Sequence, residues 1–129
     1  MTITITDESL TGDILNSILI QIDNEIVTVK DIIAARVEAE VEHYNTKNIE
    51  YFKGLVKPSD AEKTLNGFKL KPNQKIDTEK QIYVALKAFQ DNGFLVLIDN
   101  TQAESLEQQV LLEESTVISF LKLTPLIGG

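Results

Sequence analysis

The alternation of polar and β-branched residues in Thr2-Ile3-Thr4-Ile5-Thr6 predicts a strand near the start of the chain. Asp7 to Asn16 then reads as a connecting loop punctuated by Gly12. Ser17-Ile18-Leu19-Ile20-Gln21-Ile22 predicts a strand, Asp23-Asn24-Glu25 a tight turn and Ile26-Val27-Thr28-Val29 a second strand, together a hairpin. The period then changes. Ile33, Val37, Val41 and Tyr44 recur at helical spacing, which puts them on one face of a helix from about Asp31 to Asn45. Thr28 and Asp31 form a Thr-x-x-Asp pattern suited to capping its start. Glu38, Glu42 and His43 fall nearer solvent.

Residues 46–92 are less periodic. Lys-Pro, Asn-Gly and Lys-Pro-Asn breakers surround Tyr51-Phe52 and Gly67-Phe68-Lys69-Leu70, predicting an irregular insertion with a small hairpin turning at Asn66-Gly67. A second helix is expected from about Asp77 to Gln90. Thr78 and Gln81 match a capping box, Ile82, Leu86 and Phe89 supply an apolar face, and Asn92-Gly93 ends it. Phe94 to Ile98 is a continuous apolar run, as expected of a central strand buried on both faces. Asp99 to Ser115 reads as a polar connection pinned by Leu106, Val110 and Leu112. The last strand, Thr116 to Leu123, leads into Thr124-Pro125-Leu126-Ile127-Gly128-Gly129. This order of elements predicts an α+β fold in one domain, residues 1–129, with 46–92 as an insertion and 124–129 as a protruding tail.

Composition narrows the function. The net charge of −8 argues against nucleic acid and anionic membrane surfaces, because both are bound by Lys and Arg that neutralise phosphate. There is no cysteine, hence no disulfide, no thiolate zinc site and no cysteine nucleophile. Any thioester chemistry must use a partner's thiol. No apolar run is long enough to span a bilayer, and Met1 to Asp7 lacks the basic flank and apolar stretch of a signal peptide, so a cytoplasmic protein is expected.

Candidate chemistry is sparse. His43, the single histidine, has no patterned partner and is expected to be a solvated helix residue rather than a metal ligand or base. Glu38, Glu40 and Glu42 read as an acidic helix face, and Glu104, Glu107, Glu113 and Glu114 as solvated loop charge. Gly67 and Gly93 lie in no phosphate-binding pattern. Phe89, Phe94 and Phe120 are expected in the core, and packing accounts for Tyr51, Phe52, Phe68 and Tyr83 better than a stacking platform does. No catalytic residue, metal site or bound cofactor is expected, and the chain is not expected to be an enzyme.

The feature that stands out is the end. Residues 18–29 leading into the Asp31 helix, Phe94 to Asn100, and Leu112-Glu113-Glu114-Ser115-Thr116-Val117-Ile118-Ser119-Phe120 followed by Pro125-Leu126-Ile127-Gly128-Gly129 resemble the β-grasp, ubiquitin-like superfamily. The acidic turn, last strand and Gly-Gly tail are similar to those of bacterial sulfur carriers such as the small subunit of molybdopterin synthase. Leu121-Lys122-Leu123 resembles the terminal strand of ubiquitin. The likeness covers about residues 17–45 and 93–129; residues 1–16 would be an extra N-terminal strand and 46–92 a decoration.

The resemblance implies a protein modifier. A separate activating enzyme would adenylate the Gly129 carboxylate, and a conjugating enzyme would pass it through a cysteine to an amine on target proteins. A deconjugating peptidase would complete the set of partners. By analogy such bacterial pathways serve antiviral defence. Physical reasons favour the tail: Gly128 and Gly129 admit close backbone approach without a Cβ clash. Leu126 and Ile127 offer apolar anchors, and Pro125 stiffens the approach. An activated glycine carboxylate is an unhindered electrophile for a thiol, sulfide or amine. Glycine is about 7% of residues, so a terminal pair arises by chance in roughly one chain in 200; its specificity comes from the elements before it. Two alternatives share the sequence: a sulfur carrier forming a thiocarboxylate on Gly129, and a non-covalent interaction module whose tail is never activated.

Overall fold

A computed structural model describes residues 1–47 and 49–123. The segment 124–129, which holds the whole proposed tail, lies outside the described residues, as does Asn48.

Thr2–Glu8 forms β1 with strict alternation, Ile3, Ile5 and Asp7 pointing inward and Thr2 and Thr4 outward. It pairs antiparallel with β2 (Ile14–Gln21). The opening hairpin is therefore β1–β2, not the one expected between 17–22 and 26–29. The turn shrinks to Ser9–Asp13, where Gly12 adopts φ 90°. The short β3 (Ile26–Thr28) pairs instead with β9 (Gln109–Leu111), inside the stretch read as a plain connection.

Helix α1 (Val29–Lys47) is longer at both ends than its periodicity suggests. Its cap is the expected one. Asp31 N–H donates to Thr28 Oγ1 at 3.2 Å and Thr28 N–H to Asp31 Oδ2 at 2.9 Å. The next free donors, Val29 and Lys30 N–H, reach the carbonyls of Gln108 and Leu106. Ile33, Val37, Val41 and Tyr44 are all buried.

The insertion is more ordered than expected. β4 (Tyr51–Phe52), β5 (Glu62–Thr64) and β6 (Gly67–Lys69) form a small antiparallel sheet in the order β4-β6-β5. Leu65 and Asn66 make the turn, and Gly67 at φ 129° opens β6. Helix α2 (Thr78–Gln90) is capped by Asp77, whose carboxylate accepts from Lys80 N–H; the expected Thr78–Gln81 box does not form. Gln81 is buried and donates to the Val56 carbonyl. The helix ends at Asn92 in the left-handed region, with Gly93 N–H bonded to the Ala88 carbonyl and Asn92 N–H to that of Phe89.

β7 (Phe94–Ile98) turns through Asp99 and Asn100, both at positive φ, into β8 (Thr101–Gln102). β10 (Ile118–Lys122) closes the main sheet in the order β2-β1-β10-β7-β8, with β1 and β10 parallel and the other pairs antiparallel. Thus β10 and β1 are interior strands, and the first strand is integral to the sheet rather than an addition. β7 buries Phe94 and Val96, while Leu95 and Leu97 on the other face are half-exposed, so only one face is fully covered. Leu106, Val110 and Leu112 are buried as anticipated. The architecture is α+β around one core that draws on β1, β7, β10, α1 and the insertion.

Candidate functional site

The last described strand sets the site. β10 lies between β1 and β7, and its final residues reach the sheet's end at Leu123, whose N–H donates to the Gly93 carbonyl at 3.0 Å. Asn92 makes this possible: its left-handed turn stops α2 and aims the Gly93 carbonyl at the end of β10. The segment 124–129 therefore departs from a strand anchored on both sides.

Beneath this end lies a buried ion network. The Arg36 guanidinium makes two parallel bonds to the Asp7 carboxylate, Nη1 to Oδ1 and Nη2 to Oδ2, the second at 2.8 Å. One helical turn on, Glu40 Oε2 accepts from Arg36 Nη2 at 3.2 Å and Nε at 3.3 Å. Glu40 Oε1 accepts from Leu55 N–H at 3.2 Å, so the network joins β1, α1 and the insertion. The guanidinium also lies 4.6 Å from the centre of the Phe120 ring. Burial opposes the Arg36 charge, yet the bond to Asp7 and the fields of both carboxylates outweigh it, leaving its pKa raised. Burial pushes the Glu40 carboxyl above its ordinary range, with Arg36 pulling it back.

Sequence patterning missed this network. Glu40 is not part of a solvated acidic face, and Asp7 belongs to β1 rather than a loop. A signal existed: Ile32, Arg36 and Glu40 follow one another at four-residue spacing along the buried stripe, and Arg36 is the only arginine. The expectations for His43, Glu38 and Glu42 agree with their exposure.

Beside the end of β10 the insertion forms one wall of an apolar cleft of about 450 Å³. Leu55, Val56, Phe68 and Phe94 line it, together with Ala88 of α2 and Lys122 of β10. The insertion is held firmly. Asn45 at the end of α1 bonds to both the N–H and the carbonyl of Ile76, and Gln81 and Glu40 fix the loop at Leu55 and Val56. Although Lys122 is largely accessible, atoms around its ammonium desolvate it and lower its pKa. Basic character is local here. Residues 46–75 carry seven lysines and three acidic residues, whereas the rest of the chain carries five basic and seventeen acidic residues.

Among the predicted site residues, Pro125, Leu126, Ile127, Gly128 and Gly129 all fall outside the described residues, so the structure supplies their point of departure only. Among the described residues no group of three or more His, Asp or Glu side chains is arranged to hold a metal ion, and no helix is long and apolar enough to cross a membrane. No family model matches the chain, and neither a curated protein nor a solved structure matches it.

Proposed function

We propose that the protein is a ubiquitin-like modifier of β-grasp fold whose Gly129 carboxylate, encoded as the terminus or exposed by a peptidase, is activated by a separate enzyme and joined to target amines. The observation that carries this is the placement of β10: an interior strand, parallel to β1, whose end releases an uncharged segment finishing in Gly128-Gly129. A β-grasp sheet wraps one helix with a hairpin on one side of its central parallel pair and antiparallel strands on the other. The order β2-β1-β10-β7-β8 and the packing of the long helix α1 into the core agree with that plan. The capped start of α1, the buried arginine network and the bond from Leu123 to Gly93 hold the departure point of the tail in place. The chemistry belongs to partners, which must supply both the adenylating site and the thiol. Antiviral defence is the setting that analogy with bacterial conjugation pathways suggests.

The test compares the chain with a variant lacking Gly128 and Gly129, each incubated with ATP-Mg and lysate of the native host. A ladder of heavier species that survives thiol reductant and needs the two glycines is expected. A gain of about sixteen dalton on the unconjugated chain, one oxygen replaced by sulfur, would instead identify a sulfur carrier. No dependence on the glycines would leave a non-covalent module.

A further inference from the structure

β2 is one edge of the main sheet, and its sequence does not defend that edge. Ile14–Gln21 contains no charged residue and no proline, although 25% of the chain is charged. Exposed edges are ordinarily kept from pairing by shortness, charge, proline or a bulge, because their free N–H and C=O groups are a template for another strand. The opposite edge, β8, is only two residues long. In β2 the one irregularity of register lies at its start, opposite Asp7 and Glu8, which leaves Asn16 to Gln21 regular. Ile14, Leu15 and Leu19 stand 65%, 68% and 70% exposed.

The ladder with β1 fixes which groups are free. Ile22 N–H donates to the Met1 carbonyl at 2.9 Å, so Met1 and Ile22 are a bonded pair that continues the register of Thr2 with Gln21. Bonded pairs alternate along an antiparallel ladder. Asn16, Ile18 and Ile20 therefore turn their backbone groups toward β1, and Ser17, Leu19 and Gln21 turn theirs outward. Among the described residues those outward groups have no backbone partner.

We propose that β2 is the interface between two copies of this chain, paired antiparallel about a two-fold axis at Leu19. In this register Leu19 exchanges both of its backbone bonds with Leu19 of the second copy, and Ser17 does so with Gln21 of the second copy. Every outward group from Ser17 to Gln21 is then satisfied. Ile18 meets Ile20 of the second copy, and the two five-stranded sheets become one.

Charge selects a second copy as the occupant. Two chains of net charge −8 repel each other, and an uncharged strand is where they can approach most closely. The neighbouring cleft of about 800 Å³, lined by β2, α1 and residues 49–53, adds no bias: Glu40 is held by Arg36, and Glu50 and Lys53 carry opposite signs. An acidic or basic partner would need a charge of the opposite sign that this surface lacks. A copy of β2 brings uncharged residues and the same apolar side chains that the edge already exposes. The pair closes on itself, because isologous pairing leaves neither β2 edge free. It rests on β2 alone and holds whether or not the tail is ever activated.

The experiment follows residues 1–129 by sedimentation velocity and by amide hydrogen exchange across a concentration series. An interface of one strand pair falls at the small end of the size range, below ~1,200 Å², so association in the micromolar range is expected. A species of twice the 14.4 kDa chain mass should grow with concentration. The amides of Ser17, Leu19 and Gln21 should gain protection with it, while those of Ile18 and Ile20 are protected throughout. Ser17→Pro removes an outward donor without touching the β1 ladder, and Leu19→Lys sets like charges opposite each other at an already exposed position. Each should weaken association at least about tenfold. A chain that stays monomeric into the millimolar range, growth beyond the dimer, or a dimer formed without protection at those three amides would overturn the proposal. So would a dimer that Leu19→Lys leaves intact.

Discussion

Beneath the main sheet Arg36 is held by Asp7 and Glu40 where water is excluded, while at the end of β10 Lys63 and Lys122 line a cleft to which the described residues contribute no carboxylate. The first cluster satisfies itself. Its guanidinium spends its donors on two carboxylates and its face on Phe120, and the remaining oxygen of Glu40 holds the insertion at Leu55. The second cluster has no ion-pair partner among the described residues. The difference separates charge that fixes the fold from charge on which the described fold does not depend, and it predicts opposite responses to substitution.

The largest effect is expected in the network. Replacing Arg36 with Leu strands two buried carboxylates and should cost about 3–5 kcal/mol, read as a lowered urea midpoint. Removing Asp7, Arg36 and Glu40 together in favour of apolar residues should restore much of that loss. A triple variant no more stable than Arg36→Leu would show that the cluster does more than compensate its own charges.

A smaller effect belongs to Glu40→Gln, which keeps an acceptor for Leu55 N–H but turns an amide NH2, a donor, toward Arg36 where Glu40 Oε2 accepts two bonds. About 1–2 kcal/mol is expected near neutral pH. The sign of its pH dependence follows from the raised Glu40 pKa. Folding favours the protonated carboxyl, so this contribution is fully present below the unfolded pKa and is lost as pH rises through the folded one. The stability of the wild type relative to Glu40→Gln should therefore improve as pH falls through that window. Thermal melts across the acid range check this, and a difference moving the other way would contradict the burial of Glu40.

The smallest effect is reserved for the cleft. Lys63→Gln and Lys122→Gln should each change stability by no more than about 0.5 kcal/mol, because neither lysine satisfies a buried carboxylate. A loss comparable with that of Arg36→Leu would mean that these lysines serve the fold and would erase the contrast between the two clusters.

Local signals in the sequence were read correctly where their partners lie nearby. The Thr28–Asp31 cap, the stop at Asn92-Gly93 and the buried face of Ile33, Val37, Val41 and Tyr44 depend on residues within a turn or two. Pairing over long distances was not legible. Nothing adjacent to Thr2–Glu8 tells that it lies beside β10 more than 110 residues later, and Ile26–Thr28 is as good a strand whether it meets Ser17–Ile22 or Gln109–Leu111. Arg36 and Glu40 were hidden for a related reason: charge within an apolar stripe looks solvated until the strand bearing Asp7 is laid against it. The tail is the reverse case, conspicuous in sequence and outside the described residues.

The most direct measurement of the central claim uses the chain's own cleavage pattern. Trypsin cuts after Lys122, so a target lysine joined to Gly129 would retain the branch Leu-Thr-Pro-Leu-Ile-Gly-Gly. Peptide sequencing by mass spectrometry of material purified from its host should find that branch in amide linkage on lysines of other proteins. Recovery of Leu123–Gly129 solely with a free carboxyl, from cells in which the protein is abundant, would contradict the modifier function.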